Sequence, residues 1–271
     1  MKLKQEIVFI VLIIGLYFIQ SCGSDSPNNS NTQTDNIENN MILRLSSNHF
    51  NFYCIQQDEV VLDTISYLME SACNRLENLL NYPINDTIDV YIYPDLETFH
   101  YYAEWPSGVD RPDWFVGQCV EKDVIRFASP LNPGSEHTYE SVLGASVHEF
   151  GHAFNFQIVR TRARIPLWLF EGFASFAASF PLPNENIIRQ NIVNNNLPSL
   201  GDLDNDQNLV EGNLYSFAYT VVEYIVTEYG YGSLSIFLSN HTRYEDAFGT
   251  GTTPEVFETG WQQFLIANYS G

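Results

Sequence analysis

The chain has 271 residues, which is long enough for one large domain or two small ones with a buried core. Apolar residues make up 45% of it and aromatic residues 14%, so we expect most of the chain to fold. The 33 acidic residues outnumber the 12 basic ones, and this net charge of −21 argues against a nucleic-acid partner, because affinity for nucleic acids comes largely from lysine and arginine.

Residues 1–21 are predicted to be a secretory signal peptide. Two lysines precede an apolar run over residues 7–19, which is too short for a comfortable membrane span and is followed by a small residue, Ser21. The stretch IQSC that ends at Cys22 resembles a bacterial lipobox, with Gln20 where a small residue is usual. The resemblance implies a lipoprotein of the bacterial cell envelope, attached to the membrane through a lipid on Cys22 only. An ordinary cleaved signal and an uncleaved anchor are the alternatives.

Residues 22–40 are predicted to form a disordered tether. After Cys22 they contain a single large apolar residue, Ile37. Such a segment cannot bury enough apolar surface to offset the entropy that is lost on ordering. As a flexible coil it would span about 25 Å, which would hold the folded part of the chain close to the membrane.

Three cysteines remain beyond Cys22, namely Cys54, Cys73 and Cys119. An exported protein could form one disulfide among them and leave one thiol over. Each cysteine also lies in a segment with an apolar pattern, which favours buried thiols that pack as small hydrophobic groups. The sequence leaves both interpretations open.

The folded part is predicted to begin at residue 41 with strands and one long helix. Residues 49–54 have the pattern of a strand, and alternating apolar positions over 88–92 predict another with one buried face. Residues 114–120 and 124–128 predict two strands that are joined in a hairpin. Between the first two strands, apolar residues step by three or four positions and predict an amphipathic helix along Val61, Ile65, Leu68, Ala72, Leu76 and Leu79.

Helical patterns replace the strand patterns after residue 135. They cover residues 143–154, 167–176, about 214–229, and the chain from 254 on. Pro166 suits the first position of the second of these helices, and Thr253 suits the N-cap of the last. Strands followed by helices predict an α+β fold, with a small mixed sheet and helices in the N-terminal half and a mostly helical C-terminal half.

The first of these later helices carries an HExxH motif, His148-Glu149-Phe150-Gly151-His152. Positions four apart on a helix lie on one face, one turn apart, so both imidazoles can bind the same Zn²⁺. Glu149 lies about 100° round the helix, where it can reach a water on the metal rather than the metal itself. With three fixed residues, the motif arises by chance in about 1 chain in 100 of this size, so alone it is suggestive only.

A third candidate ligand, Glu171, lies on the next helix after 18 intervening residues. It stands in the apolar segment LWLFEGFASF, where a lone buried carboxylate would be costly unless it were paired or bound to a metal. Two histidines and one glutamate leave a fourth position open for water, whereas structural zinc sites usually have four protein ligands. The pattern therefore predicts one catalytic Zn²⁺ held by His148, His152 and Glu171. A surface glutamate beside a chance HExxH motif is the alternative.

These motifs resemble the gluzincin metallopeptidases, most of all the catalytic domain of the aminopeptidase-N-like enzymes. That family has HExxH, the same 18-residue gap and an LWLNEGFA-type segment, in which Phe170 of this chain replaces the asparagine. The resemblance over residues 148–176 is specific, and a looser similarity to peptidase MA-like domains extends over about 45–268. It implies a thermolysin-like catalytic domain over residues 41–271. A metzincin site would need HExxHxxGxxH, and Asn155 and Ile158 exclude it.

The resemblance also implies a mechanism of peptide-bond hydrolysis. Glu149 would be the general base for a zinc-activated water. A tyrosine on a later helix would donate to the oxyanion, and Tyr215 is favoured over Tyr219 because the family pattern places a tyrosine near the start of that helix. Aminopeptidases of the family bind the substrate's free amino terminus with a GxMEN segment, which this chain replaces with GQCVE at 117–121. An endopeptidase acting on peptides or proteins is therefore favoured.

Two other classes of function fit the sequence. One is a non-catalytic envelope lipoprotein of gluzincin fold that keeps zinc and binds peptides or a protein partner. The presence of Glu149, which is needed for turnover, argues against it. The other is a scaffold lipoprotein with a fortuitous motif, which predicts no stoichiometric zinc. Metal content and turnover together distinguish these three functions.

Overall fold

The computed structural model of the chain describes residues 40–103, 111–180, 182–205 and 215–271. The predicted signal peptide, the lipidation site Cys22 and the tether up to residue 39 lie outside these ranges, so they stay predictions. Within the ranges that the structure describes, no helix is both long and apolar enough to cross a membrane.

The described residues pack into two compact units. The first ends at Glu70 and resumes over Asp86–Ser146, and the second consists of Ser71–Asn85 and the chain from Val147 on. The prediction of one catalytic domain over residues 41–271 stays a prediction.

Five strands form the sheet of the first unit, namely β1 (Ile42–Ser46), β2 (Phe50–Cys54), β3 (Ile88–Tyr93), β4 (Gly117–Glu121) and β5 (Val124–Ala128). Their order across the sheet is β1-β2-β3-β5-β4. The three central strands are parallel, and the two edge strands run antiparallel to their neighbours. The predicted small mixed sheet in the N-terminal half is therefore confirmed.

The alternating patterns of the central strands arise because one face of the sheet is buried. Phe50 and Phe52 on β2 pair with Ile88 and Val90 on β3, and all four side chains are fully buried. The edge strand β1 was not predicted, because its burial is irregular and Ile42 is 49% exposed. Alternation is a weak signal in a strand that lacks a well-covered face.

The strand predicted over residues 114–120 begins three residues later, at Gly117. The backbone oxygens of Trp114 and Phe115 lie 2.8 and 2.7 Å from imidazole nitrogens of His137 and His100. These carbonyls bond to side chains instead of a neighbouring strand, so the ladder starts after them. The predicted hairpin between β4 and β5 is confirmed.

Nine α-helices lie within the described residues. Their bounds are α1 (Leu62–Leu80), α2 (Leu96–Tyr102), α3 (Tyr139–Ile158), α4 (Leu167–Ala178), α5 (Glu185–Val193), α6 (Leu200–Leu203), α7 (Tyr215–Ser239), α8 (Tyr244–Phe248) and α9 (Pro254–Tyr269), with a 3-10 helix over Gln56–Val61. The predicted α+β class, with a mostly helical C-terminal half, is confirmed.

Local chemistry explains where several helices begin or bend. Thr253 caps α9 as predicted, since its side chain accepts a hydrogen bond from the N–H of Val256. Pro166 is the N-cap of α4 rather than its first helical residue, because its ψ of 139° is extended. The predicted helix end before Gly230 is matched by a break in α7 at that residue, whose φ of 81° is readily adopted by glycine, and a second helical stretch follows it to Ser239.

Cys54, Cys73 and Cys119 form no disulfide with one another, and all three are buried. Burial raises the pKa of the Cys54 thiol to about 12, with a further contribution from Asp58. The prediction that Cys54, Cys73 and Cys119 are buried is therefore confirmed, and the structure favours thiols over a disulfide.

Candidate metal centre

Helix α3 places His148 and His152 on one face, as the four-residue spacing predicts. Their ring centroids are 4.7 Å apart and their planes are nearly perpendicular, at 87°. Both side chains are buried, with 1% and 3% of each residue exposed. Buried imidazoles in this relation need a polar partner, because burial removes their nitrogens from contact with solvent.

Helix α4 brings Glu171 to the two imidazoles. One carboxylate oxygen, Oε2, lies 3.4 Å from Nε2 of His148 and 3.6 Å from Nε2 of His152. Glu171 has no exposed surface. One ligand atom from each of the three residues lies within 4.8 Å of the other two. The structure thus brings together the three ligands that the sequence predicts.

The short distance between α3 and α4 depends on Gly151, the fourth residue of the HExxH motif. A Cβ atom at this position would lie 2.7 Å from Cα of Ala174 and 3.2 Å from Cβ of Ala177. Such distances are too short for any side chain, so only glycine permits the observed approach. Small residues on both helices therefore set the separation at which Glu171 reaches the histidines.

The protonation state of the histidines suits a metal ligand. Burial lowers the pKa of His148, and the nearby carboxylate of Glu149 offsets part of this effect. Burial also lowers the pKa of His152 well below its ordinary value, and His148 lowers it further. Both shifts favour the neutral imidazole, the form that has a free electron pair to offer a metal.

The geometry of the three ligands fits a small tetrahedral ion. With metal–ligand bonds of about 2.0–2.1 Å, two ligands at corners of a tetrahedron lie about 3.3–3.4 Å apart. The separations of 3.4 and 3.6 Å between Glu171 and the two Nε2 atoms approach this value. Neither nitrogen of His148 has a hydrogen-bond partner within the described part of the chain. The residues present therefore fit a metal ion with three protein ligands.

Glu149, the candidate general base, is buried at 2% exposure beside the first histidine. Its charge acts on the His148 imidazole, which shows that the two groups are close. Since neighbouring residues on a helix point about 100° apart, Glu149 does not share the metal-facing stripe of the histidines. The structure places it next to the ligands without making it one of them.

The two candidate tyrosines both lie on α7. Tyr215 is its first residue, and its hydroxyl oxygen is buried. Ala218 and Val222 form the stripe of α7 that meets Gly172, the residue after Glu171. Measured round the helix axis, Tyr215 lies about 60° from Ala218 and about 20° from Val222. Tyr219 lies farther from both, at about 100° and 60°. The choice of Tyr215 over Tyr219 stays a prediction.

Two residues to which the sequence analysis gave no role in the site lie against a candidate ligand or on the same face of α3. Phe170 stacks on the ring of His152, with centroids 3.9 Å apart and planes 23° apart. Asn155 is fully buried, and neither its Oδ1 nor its Nδ2 has a hydrogen-bond partner within the described residues. Asn155 follows the two histidines by three and seven positions. That helical spacing was a signal that could have placed it on their face.

Comparison with known proteins gives no further assignment. No family model and no curated protein matches the chain. The resemblance to gluzincins therefore rests on the motifs within residues 148–176.

Proposed function

We propose that the chain is a zinc-dependent peptidase of the gluzincin class. The observation that carries the proposal is the convergence of His148, His152 and Glu171. Three buried side chains from two helices place their ligand atoms within 4.8 Å of one another, and the two distances from Glu171 to the histidines, 3.4 and 3.6 Å, are close to those in a tetrahedral site. A set of three ligands leaves one position for water or substrate, which is typical of catalytic rather than structural zinc sites.

Zinc is the ion that these ligands suit best. Two imidazoles and one carboxylate are borderline ligands, whereas Ca²⁺ and Mg²⁺ take mostly oxygen ligands. When bound, Zn²⁺ supplies a Lewis acid that acidifies a water molecule to a pKa of about 7 and polarises a carbonyl group. We propose one ion per chain.

Glu149 would act as the general base. Its carboxylate would take a proton from the attacking water and then pass it to the nitrogen of the leaving amine. Two features support this role, namely burial at 2% exposure and a position one residue from a metal ligand. Bulk solvent hydrates a carboxylate little in such a buried position, so the carboxylate stays available to accept a proton.

Tyr215 would donate a hydrogen bond from its hydroxyl group to the developing oxyanion. It lies near the stripe of α7 that contacts α4 beside Glu171, and its hydroxyl oxygen is buried. The ring of Tyr219 packs instead against Phe176, farther along α4, with a centroid distance of 5.6 Å. Both observations favour Tyr215.

The substrate would be a peptide or protein outside the cytoplasm. The lipobox-like sequence at Cys22 supports attachment to the bacterial cell envelope. The absence of a GxMEN segment at residues 117–121 supports an endopeptidase rather than an aminopeptidase.

The proposal is tested by zinc content and peptide cleavage in the same preparations. We expect about one zinc per chain and cleavage of a mixed peptide library within the peptides, abolished by a chelator. Glu149→Gln should keep the zinc and lower kcat by about 10²–10⁴-fold, because it removes the base without removing a ligand. Mass spectrometry of the products reports both the activity and the position of the cleaved bond.

Glu140→Gln is the matched control, since Glu140 lies in the first turn of the same helix and is exposed. It should leave both zinc content and cleavage unchanged. Cleavage that survives Glu149→Gln would overturn the assigned base. Stoichiometric zinc without cleavage of any peptide would favour the non-catalytic binding protein, and a chain without zinc would refute the site itself.

A further inference from the structure

The imidazole of His152 is enclosed by two other rings. Phe170 lies against its face, with a centroid separation of 3.9 Å and an interplanar angle of 23°. His148 meets it at 87° and 4.7 Å. Such a contact between a ring face and a metal ligand restrains how that ligand can rotate.

The distance to Phe170 leaves the imidazole little rotational freedom. Aromatic rings that meet edge to face have centroids about 5 Å apart, because the edge of a ring extends farther than its face. At 3.9 Å, rotation of the His152 ring about its Cβ–Cγ bond would drive its edge into Phe170. The stacked orientation is therefore the one that the packing allows.

In most metal sites a hydrogen bond fixes the plane of a histidine ligand, and here the stacking with Phe170 has that effect. A histidine ligand usually donates its second N–H to a carboxylate or carbonyl oxygen, which fixes the plane of the ring. Nδ1 of His152 has no such partner within the part of the chain that the structure describes. Something else must hold the ring, and the face of Phe170 is in contact with it.

Phe170 also packs against a second residue of α3, the helix that carries His152. The ring of Phe156, one turn after His152 on α3, lies 5.1 Å from that of Phe170 at an angle of 49°. Phe170 is 9% exposed. Its side chain thus packs against two successive turns of α3, which fixes the surface that it presents to the imidazole.

We propose that Phe170 is a positioning residue for His152. Its ring face sets the plane of the imidazole, and so the direction of Nε2, in place of a hydrogen bond to Nδ1. The inference rests on the metal site of the proposed function. Because Phe170 directly precedes Glu171 on α4, the same turn of helix supplies one ligand and orients another.

Metal affinity tests this role without reference to turnover. In competition with a chromophoric chelator, Phe170→Leu should weaken zinc binding at least tenfold, the usual effect of losing a group that orients a histidine ligand. Phe170→Tyr keeps the ring face and should bind within about threefold of the unchanged protein. With Co²⁺ in place of zinc, the Leu variant should show altered visible absorption bands, and the Tyr variant should not.

Phe173→Leu is the matched control, because it removes a fully buried aromatic ring from the same helix, and the ring contact of Phe173 is with Phe154 rather than with His152 or Phe170. It should retain zinc affinity within about threefold. Equal losses in Phe173→Leu and Phe170→Leu would overturn the proposal, since general loosening of the packing would then explain both. Wild-type affinity in Phe170→Leu would overturn it as well.

The metal-free protein gives a second measurement. Its His152 ring protons should resonate upfield in NMR spectra because they lie over the face of Phe170, and Phe170→Leu should remove this shift. If the Leu variant does not fold, the chemical shifts of the His152 ring protons in the wild-type protein still test the stacking. Shifts like those of an unstacked histidine would contradict it. If the wild-type protein binds no zinc, the proposed function fails, whereas the upfield shift would still show that Phe170 holds the ring.

Discussion

At the scale of single residues, the candidate site is costly for the fold. Five polar side chains on two helices are exposed by at most 3%, namely His148, Glu149, His152, Asn155 and Glu171. A buried polar or charged group destabilises a protein unless it is paired, and apolar residues would fill the same space more favourably. Three of them, His148, His152 and Glu171, form a group that could hold a metal ion, which would offset part of this cost.

Asp58, in the first unit, allows the energetic effect of one buried carboxylate to be measured away from the site. It is 2% exposed, and its Oδ1 accepts a hydrogen bond of 2.5 Å from the hydroxyl of Ser129. Burial raises the pKa of Asp58, and Asp95 raises it further, while the bond from Ser129 opposes the shift. A raised pKa in the folded state means that stability is lost as the pH rises through that pKa.

We therefore expect Asp58→Asn to be increasingly stabilising, relative to the unchanged protein, as the pH rises from about 3 to 7. Asparagine keeps the acceptor for Ser129 and does not ionise. Urea unfolding at several pH values gives the difference in free energy. Asp63→Asn, which removes an exposed carboxylate nearby, is the control. A difference for Asp58→Asn that does not grow with pH would contradict the prediction.

At the scale of helices, glycine sets the spacing around the site. A Cβ at Gly172 on α4 would lie 2.2 Å from the carbonyl oxygen of Ala218 on α7. Backbone atoms cannot move aside locally, so the two helices would have to separate. Gly172 thus allows α4 and α7 to approach closely, as Gly151 allows the close approach of α3 and α4.

Gly172→Ala should accordingly lower the free energy of unfolding by about 1–3 kcal/mol, the usual cost of overpacking. Gly232 provides the opposite case, since it is exposed on α7 and a Cβ there would meet no atom within 4 Å. Gly232→Ala should raise the free energy of unfolding by about 0.5 kcal/mol, because alanine favours a helix over glycine. Urea unfolding of both variants checks the pair. Similar effects of the two substitutions would disprove the packing argument.

The elements that could be predicted from the sequence are those whose residues follow one simple period. The spacing of His148 and His152 predicted their shared face, and the cost of burying Glu171 predicted that it would have a partner, which the structure places at the two imidazoles. Edge strand β1 and helices such as α5 and α6 were missed, because short or half-exposed elements have no clear apolar period. The stacking of Phe170 on His152 could not be predicted, since it depends on how closely α3 and α4 approach.

At the scale of the molecule, the candidate site residues lie in one unit, whereas the net charge describes the whole chain. A net charge of −21 produces repulsion in the compact state that unfolding relieves. Ion pairs such as Arg164–Asp204, whose nitrogen and oxygen are 2.5 Å apart, are exposed enough to contribute little against this repulsion.

Salt should therefore stabilise the protein at neutral pH. Raising NaCl from about 0.05 to 0.5 M shortens the distance over which charges act to a few ångströms, which weakens the repulsion more than the close ion pairs. We expect Tm at pH 7 to rise by about 2–4 °C, which corresponds to about 1 kcal/mol for a chain of this size. Near pH 4.4, where the net charge is close to zero, the same salt should change Tm little. A fall in Tm with salt at pH 7 would mean that favourable ion pairs, not the acidic excess, dominate the electrostatic energy of the fold.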